Sequence, residues 1–338
     1  MSGPAVVGID VGGTSIKARL VDRDGIVLAE HRAPTPRIDP AASELAATVV
    51  DLVVRASADA AEAGMALAAV GVVVPGVVDD RAGVVVLAVN LGWRDVPVLA
   101  VITSALEDAG FALPVAFGQD VRAGALAEAR SGAASARSGT VSALSGPASV
   151  LSGVSGAAPD HDDAMSDRSF VGTVAFVPVG TGLASALVAD GVLVGAGAWS
   201  GEIGQVVIPS GPHRGSRVEE IASAGAVAQR AGEQDARSVA DRVRAGDADA
   251  RRVWDDCVDV LADALAWITA VSGCTTIVVG GGLAEADDLL LAPLRGALSA
   301  RLAGVRVPSV VRATHGDAAG AIGAAFMAAD LLPAGATA

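Results

Sequence analysis

At 338 residues the chain is longer than one ordinary hydrophobic core supports and suits two domains. With 38 acidic against 24 basic residues the net charge is −14, which argues against nucleic acid or an anionic membrane as main partner, since phosphate groups need clustered Lys and Arg. Hydrophobic residues make up 52% and aromatics 3%, with no Tyr, so the core must be packed from Ala, Val, Leu and Ile.

The first predicted strand, Val6–Asp10, leads through a Gly-Gly turn into a second, Ser15–Val21. The turn Asp22–Gly25 then opens a third, Ile26–Glu30. Asp39 followed by Pro40 reads as the N-cap and first residue of a helix, along which Leu45, Val49, Leu52 and Val53 recur at helical spacing until Gly64 ends it. Ala69–Val74 is a Val-rich buried strand stopped by Pro75-Gly76, and Pro114–Phe117 is a strand running into a helix that begins near Asp120. From about 131 to 169 the chain turns to Ser, Gly and Ala and closes on Asp160, Asp162 and Asp163; this reads as a low-complexity insertion, either disordered or a lid.

Beyond it the opening pattern returns. Val174–Val179, Gly180-Thr181-Gly182, Leu183–Val188 and Asp190-Gly191 repeat the order strand, Gly/Thr turn, strand, Asp-Gly turn, which implies two similar halves across a cleft. A helix over Asp247–Val271, a strand over Thr275–Val279, the run Gly280–Gly282 and helices over Ala286–Leu302 and Asp317–Leu332 complete the chain. Asp10 and Lys17 interrupt any leader-like apolar run, and Gly172, Pro178, Gly180 and Gly182 break the uncharged stretch Val171–Ala189 into strands rather than a membrane span. A cytoplasmic protein is expected. Cys257 and Cys274 lie in apolar stretches and read as buried reduced thiols, and His31, His161, His213 and His315 show no zinc spacing.

Several positions carry possible chemistry. Asp10-Val11-Gly12-Gly13-Thr14 ends a strand with adjacent glycines, whose amides can form a nest for phosphate oxygens; Thr14 adds a hydroxyl and Asp10 could orient hydrated magnesium, although a plain hairpin turn has the same composition. Gly180-Thr181-Gly182 offers the same features from the other half, so the two turns could grip the β- and γ-phosphates together. Lys17, the sole lysine, reads as an exposed strand residue or a phosphate-facing one and is not assigned to catalysis. Asp120 at a helix start is either an N-cap or an ionised proton acceptor. Glu202, and Glu219 and Glu220 at the opening of a short helical run, Ile221–Ala228, suit bidentate bonding to sugar hydroxyls or are ordinary solvated acids. Asn90 and Trp93 belong to a sugar-site loop or pin a turn, and Gly281-Gly282 after a strand could touch a nucleotide.

Taken in order, the Asp10-to-Thr14 turn, Pro75-Gly76, Asn90-Leu91-Gly92-Trp93, the Asp120 helix start, Gly180-Thr181-Gly182, Gly201-Glu202-Ile203-Gly204, Gly280–Gly282 and Gly316-Asp317 through Gly323 resemble the ROK family of sugar kinases and sugar-responsive repressors. The resemblance implies an α/β protein of the actin-like ATPase (ribonuclease H-like) fold, with an N-terminal domain over 1–118, a larger one over 119–316, and a C-terminal helix at about 317–333 packed back on the first. It implies phosphoryl transfer from ATP, with magnesium, to a hexose or N-acetylhexosamine, with Asp120 as general base. Gly76, Asn90, Gln119, Glu202, Gln205 and Glu219 then lie at the sugar, Gly12, Gly13, Thr14, Gly180, Thr181 and Gly182 at the phosphates, and Gly281 and Gly282 near the adenosine. A homodimer is expected, and a non-catalytic sugar or nucleotide sensor is the rival reading. The repressors carry an N-terminal DNA-binding domain, whereas here the phosphate-turn strand starts within a few residues of Met1.

Departures from the family pattern fall at the sugar. Gln119 stands where Asn usually precedes the catalytic Asp, and Gln205 where the turn normally ends in a zinc-ligating His. Pro212–Val218 has no cysteine, so a branch without the zinc site is expected. Ala184, Ser185 and Ala186 replace family glycines after the second turn.

Overall fold

The computed structural model describes residues 4–22, 25–37, 39–135, 172–195 and 197–333. The insertion expected at about 131–169 lies outside the described residues apart from 131–135. Strands β1 (Ala5–Val11), β2 (Ser15–Val21) and β3 (Val27–Pro34) form an antiparallel meander. Helix α1 (Ser43–Glu62) leads to β4 (Leu67–Val74), parallel to β1. A small sheet of β5 (Val77–Asp79), β6 (Val84–Ala88) and β7 (Trp93–Val96) precedes α2 (Val98–Asp108) and β8 (Val115–Gln119), which closes the first large sheet as β3-β2-β1-β4-β8.

Helix α3 (Asp120–Arg130) follows at once. The second large sheet contains β9 (Thr173–Pro178), β10 (Ala186–Ala189) and β11 (Val192–Leu193). Helices α4 (Glu219–Ala222), α5 (Ala224–Ala231), α6 (Ala236–Arg244) and α7 (Ala248–Ser272) precede β12 (Thr276–Gly280), α8 (Asp288–Arg301), β13 (Ser309–Arg312) and α9 (Ala319–Ala329). Its order is β11-β10-β9-β12-β13. Both sheets therefore share one plan, an antiparallel meander extended by two parallel strands. Each has its own core, Ile9, Leu20, Leu52 and Ile102 in one and Trp254, Leu261, Ile277 and Leu290 in the other. Cys257 and Cys274 are buried free thiols, and burial pushes the Cys257 thiol up to about 12. Among the described residues no helix is long and apolar enough to cross a membrane.

Two helices join the halves. Helix α9 packs on β1 and β4 of the first sheet, α3 packs on β9 and β10 of the second, and the two helices pack on each other. Their crossing depends on Gly323, where a Cβ would fall 1.8 Å from the Ala123 carbonyl oxygen.

Where elements differ from the sequence expectation, three of the differences have a cause visible in the backbone. Helix α1 starts at Ser43, after a left-handed Ala42, and Asp39 caps it from upstream by accepting the Leu45 amide at 2.8 Å. Strand β10 starts at Ala186, because Ser185 instead donates its amide to Gly201 O at 2.8 Å. The helical run after Glu219 breaks at Ser223, whose extended backbone lets Oγ accept the Ala226 amide at 3.0 Å and cap α5.

Candidate active site

The ends of parallel strands are where an open α/β sheet leaves a crevice for ligands. Asp10 is the last residue but one of β1, Pro75-Gly76 follows β4, and Gln119 ends β8 directly before Asp120. In the second sheet Gly180 follows β9 and Gly281-Gly282 follow β12.

Asp10 pairs across the meander with Lys17, whose Nζ donates to Asp317 Oδ2 and to its carbonyl, both at 3.1 Å. A Cβ on Gly320 would lie 2.6 Å from Asp10 Cγ, so the first turn of α9 rests on this carboxyl. Burial raises its pKa to about 6; Lys17 opposes that and Asp317 adds to it. The neighbouring turn is fixed by Gly12 N donating to Ser15 O at 3.0 Å and Thr35 Oγ1 donating to Gly12 O at 2.6 Å. Gly13 and Thr14 are exposed, and among the described residues their amides donate to no protein acceptor. The Gly180 turn is held by Gly180 N donating to Gly182 O and by its carbonyl accepting from Ala224 N, leaving Thr181 and Gly182 exposed.

Asp120 is the first residue of α3 rather than its N-cap, which is Gln119. Its Oδ1 accepts the Val121 amide at 2.8 Å. Burial raises its pKa to about 7, and the charges of Asp10 and Glu202 push the same way. Glu202 is itself raised, first by burial and then by Glu219, against the Gln119 hydrogen bond and Arg122. The Glu219 carboxylate in turn sits beside Gly182, 3.5 Å from where a Cβ would stand. Carboxylates from both halves, Asp10, Asp120, Glu202 and Glu219, thus form one electrostatic chain from the first Gly/Thr turn to the second.

Gln119 is 3% exposed and donates Nε2 to Gly76 O at 2.9 Å and Glu202 Oε1 at 3.4 Å; its buried Oε1 has no partner among the described residues. Gln205 is exposed and accepts from Arg217 Nη1 at 2.7 Å. Asn90 is exposed on the short turn Val89–Leu91. Trp93 pins a turn: it is 3% exposed and donates Nε1 to Asp39 O at 2.6 Å. Gly281 has φ 76°, and a Cβ there would come within 2.5 Å of the Val179 carbonyl, so β9 and β12 end in contact. A cavity of about 410 Å³ opens beside Gly282 and Leu283, lined by Arg237, Arg244 and Glu285, and includes none of the acids above.

The ROK family model matches residues 6–144 and 162–331. The chain belongs to the ROK family. It is 27% identical to the glucokinase of Streptomyces coelicolor over 337 residues, covering 95% of this chain and 96% of the relative. It is 28% identical to the glucokinase of Halalkalibacterium halodurans over 355 residues, with 97% and 96% covered. Among solved structures it resembles the ROK hexokinase from Thermus thermophilus with a TM-score of 0.74 at 26% identity, covering 96% of this chain and 98% of the other. The fold is thus the actin-like ATPase fold of ROK kinases.

Three residues of this ROK protein escaped sequence reasoning. Arg122, two residues past Asp120, bonds Val78 O at 3.1 Å and Asp80 Oδ2 at 2.7 Å on one side and Ala198 O at 3.1 Å on the other. Glu128, fully buried, accepts the amides of Ala133, Thr314 and His315, which ties α3 to the approach to α9. Arg217 joins Gln205, Glu219 and Glu220. The available signal was weak: an acid inside the Ala-rich α3, and two arginines each two residues from an assigned acid.

Proposed function

We propose that the protein is an ATP-dependent sugar kinase that phosphorylates a hydroxyl of a hexose or N-acetylhexosamine, with Asp120 as general base. One observation carries the reading: a carboxyl raised to about 7 at a helix start, next in line to acids that reach both Gly/Thr turns. The similarity to proteins named glucokinase and ROK hexokinase supports the same chemistry.

In this mechanism the sugar oxygen attacks the γ-phosphorus in line as the bond to the bridging oxygen of ADP breaks. Asp120 takes the hydroxyl proton, a step worth on the order of a hundredfold in rate. The free amides of Gly13 and Thr14, with the Gly180–Gly182 turn, would bind the phosphates, where most of the catalysis of phosphoryl transfer resides. Asp10 would hold magnesium through its water shell; a buried carboxyl pushed up to about 6 fits a site that gains from a cation. When bound, that ion supplies neutralisation of phosphate charge. Glu202, Glu219, Gln119, Gln205, Gly76 and Asn90 would meet the sugar, and Gly281 and Gly282 the nucleoside, with the cavity at Gly282 next to it. Residues 1–118 and 119–316 would act as two domains closing over both substrates, in a homodimer.

ADP release measured over a panel of hexoses and N-acetylhexosamines tests this reading and names the acceptor. Asp120→Asn is expected to lower kcat by at least about a hundredfold while sugar binding persists. Near-normal turnover in that variant removes Asp120 from the mechanism, and sugar binding without turnover in the wild type favours the sensor reading.

A further inference from the structure

Behind the sugar-facing acids, the guanidinium of Arg217 does something the proposed mechanism leaves unassigned. Its Nη1 donates to Gln205 Oε1 at 2.7 Å and lies 3.0 Å from Glu219 Oε1. Its Nε and Nη2 reach Glu220 Oε1 at 3.1 and 3.0 Å, and its backbone amide reaches Glu220 Oε2 at 2.8 Å. One planar group thus spans from the turn Ile203–Gln205 to the start of α4. The intervening segment folds back on itself: Val218 N donates to Val206 O at 2.9 Å, and Ile208 N to Ser216 O at 2.9 Å. At its tip His213 Nε2 lies 3.3 Å from Asp256 on α7, a carboxylate that accepts from Arg230, and makes no hydrogen bond of its own among the described residues.

The zinc site implied by family resemblance does not fit these donors. Gln205 offers a carboxamide already bonded to a guanidinium, no cysteine occurs in Pro212–Val218, and a cation brought between Gln205 and Glu219 would meet the charge of Arg217. We infer that Arg217 is a positioning residue for the sugar, an organic cation that holds Gln205 and Glu219 in place where other family members use zinc. The inference rests on the sugar-kinase reading. Arg217 is 44% exposed, so its ion pairs add little stability; its work is geometric, since a fork of five fixed donors can set two acceptors at once and an ammonium cannot. Among the described residues Arg217 shares no hydrogen bond or ion pair with Asp120 or the phosphate turns, so its loss is expected in sugar binding rather than in the chemical step.

Steady-state kinetics of Arg217→Ala and Arg217→Lys, with calorimetric sugar binding and metal analysis of the purified wild type, test this. Arg217→Ala is expected to raise the sugar KM about tenfold, with kcat within about threefold and the nucleotide KM unchanged. Arg217→Lys, which keeps the charge and loses the fork, should stay close to the Ala variant, and Gln205→Ala should add little in the Arg217→Ala background. The wild type should contain no stoichiometric zinc, and a chelator should leave its sugar Kd unchanged. An unchanged sugar KM, full rescue by Lys, or bound zinc whose removal weakens sugar binding overturns the inference and leaves the kinase reading standing. If Arg217→Ala does not fold, Arg217→Lys carries the same prediction. A wild type that binds sugar without phosphorylating it overturns the kinase reading alone, and the tenfold change is then read in Kd; one that neither binds nor phosphorylates sugar overturns both.

Discussion

Burial lifts the Asp120 carboxyl to about 7, and the charges of Asp10 and Glu202 reinforce the lift. In the proposed mechanism Asp120 must be ionised to accept a proton, so kcat/KM is expected to fall about tenfold per pH unit below about 7, flattening above it. A pH–rate profile checks this, and a flat profile from pH 5 to 8 would remove the titrating base. The same shift carries a stability consequence of opposite sense. A carboxyl whose folded-state pKa lies above its ordinary 3.8 is protonated in the folded chain while the unfolded chain is already ionised. Its stabilising share is therefore complete below about 4 and is lost as pH rises through about 7, with Asp10 contributing likewise up to about 6. Without ligands the protein should thus unfold more readily at pH 8 than at pH 5. Asp120→Asn should flatten that slope and raise stability at pH 8 on the order of 2 kcal/mol, read by urea unfolding. The position of Asp120 was legible, because an apolar strand runs straight into a helix there. Its company was not, since Glu202 lies 82 residues away and is joined to the strand end through Gln119.

Among elements, α3 and α9 do most to set the site, since Asp120 opens one and Gly320 in the first turn of the other rests on Asp10. They pack tightly at Gly323 and Ala123. Gly323→Ala would place a Cβ 1.8 Å from a backbone oxygen, a contact that only separation of the helices can relieve. The expected loss is about 3 kcal/mol in denaturant unfolding, with kcat falling more than sugar affinity because Asp10 and Asp120 move apart. A variant with wild-type stability would show that the crossing tolerates a methyl group. Long apolar strands such as Ala69–Val74 and Thr275–Val279 were read from the sequence to within a residue or two, because burial on both faces leaves a continuous Val-rich run. Helix α6 was missed: its buried face is Ala236, Val239, Ala240 and Val243, small residues set among four charged ones, and its helical form is fixed by Asp235 capping the Ser238 amide at 2.8 Å. The start of α1 was misjudged because Asp39 caps across an intervening turn, a geometry that the Asp-Pro pair does not announce.

Across the molecule, the repeated hairpin in the sequence reports a real duplication of sheet plan, and what the repeat cannot report is how the halves are coupled. Arg122 supplies part of that coupling. From α3 it donates to Val78 O and Asp80 beside the small sheet, and to Gly197 O and Ala198 O in the loop after β11. The Asp80 carboxylate already has one buried oxygen without a partner among the described residues, so removing the guanidinium leaves an uncompensated charge. Arg122→Ala is expected to cost about 3 kcal/mol of stability. The loop at 197–198 lies four residues before Glu202, so in the proposed mechanism releasing it should also let water reach bound phosphates as the two halves close over them. ADP release without sugar should then rise relative to release with sugar, while Arg55→Ala, at an exposed pair within α1, changes neither quantity. Because the ratio compares two reactions of the same folded population, lost stability alone leaves it fixed. A rise in the ratio therefore assigns Arg122 to water exclusion, and an unchanged ratio with lowered stability confines it to holding the two halves together.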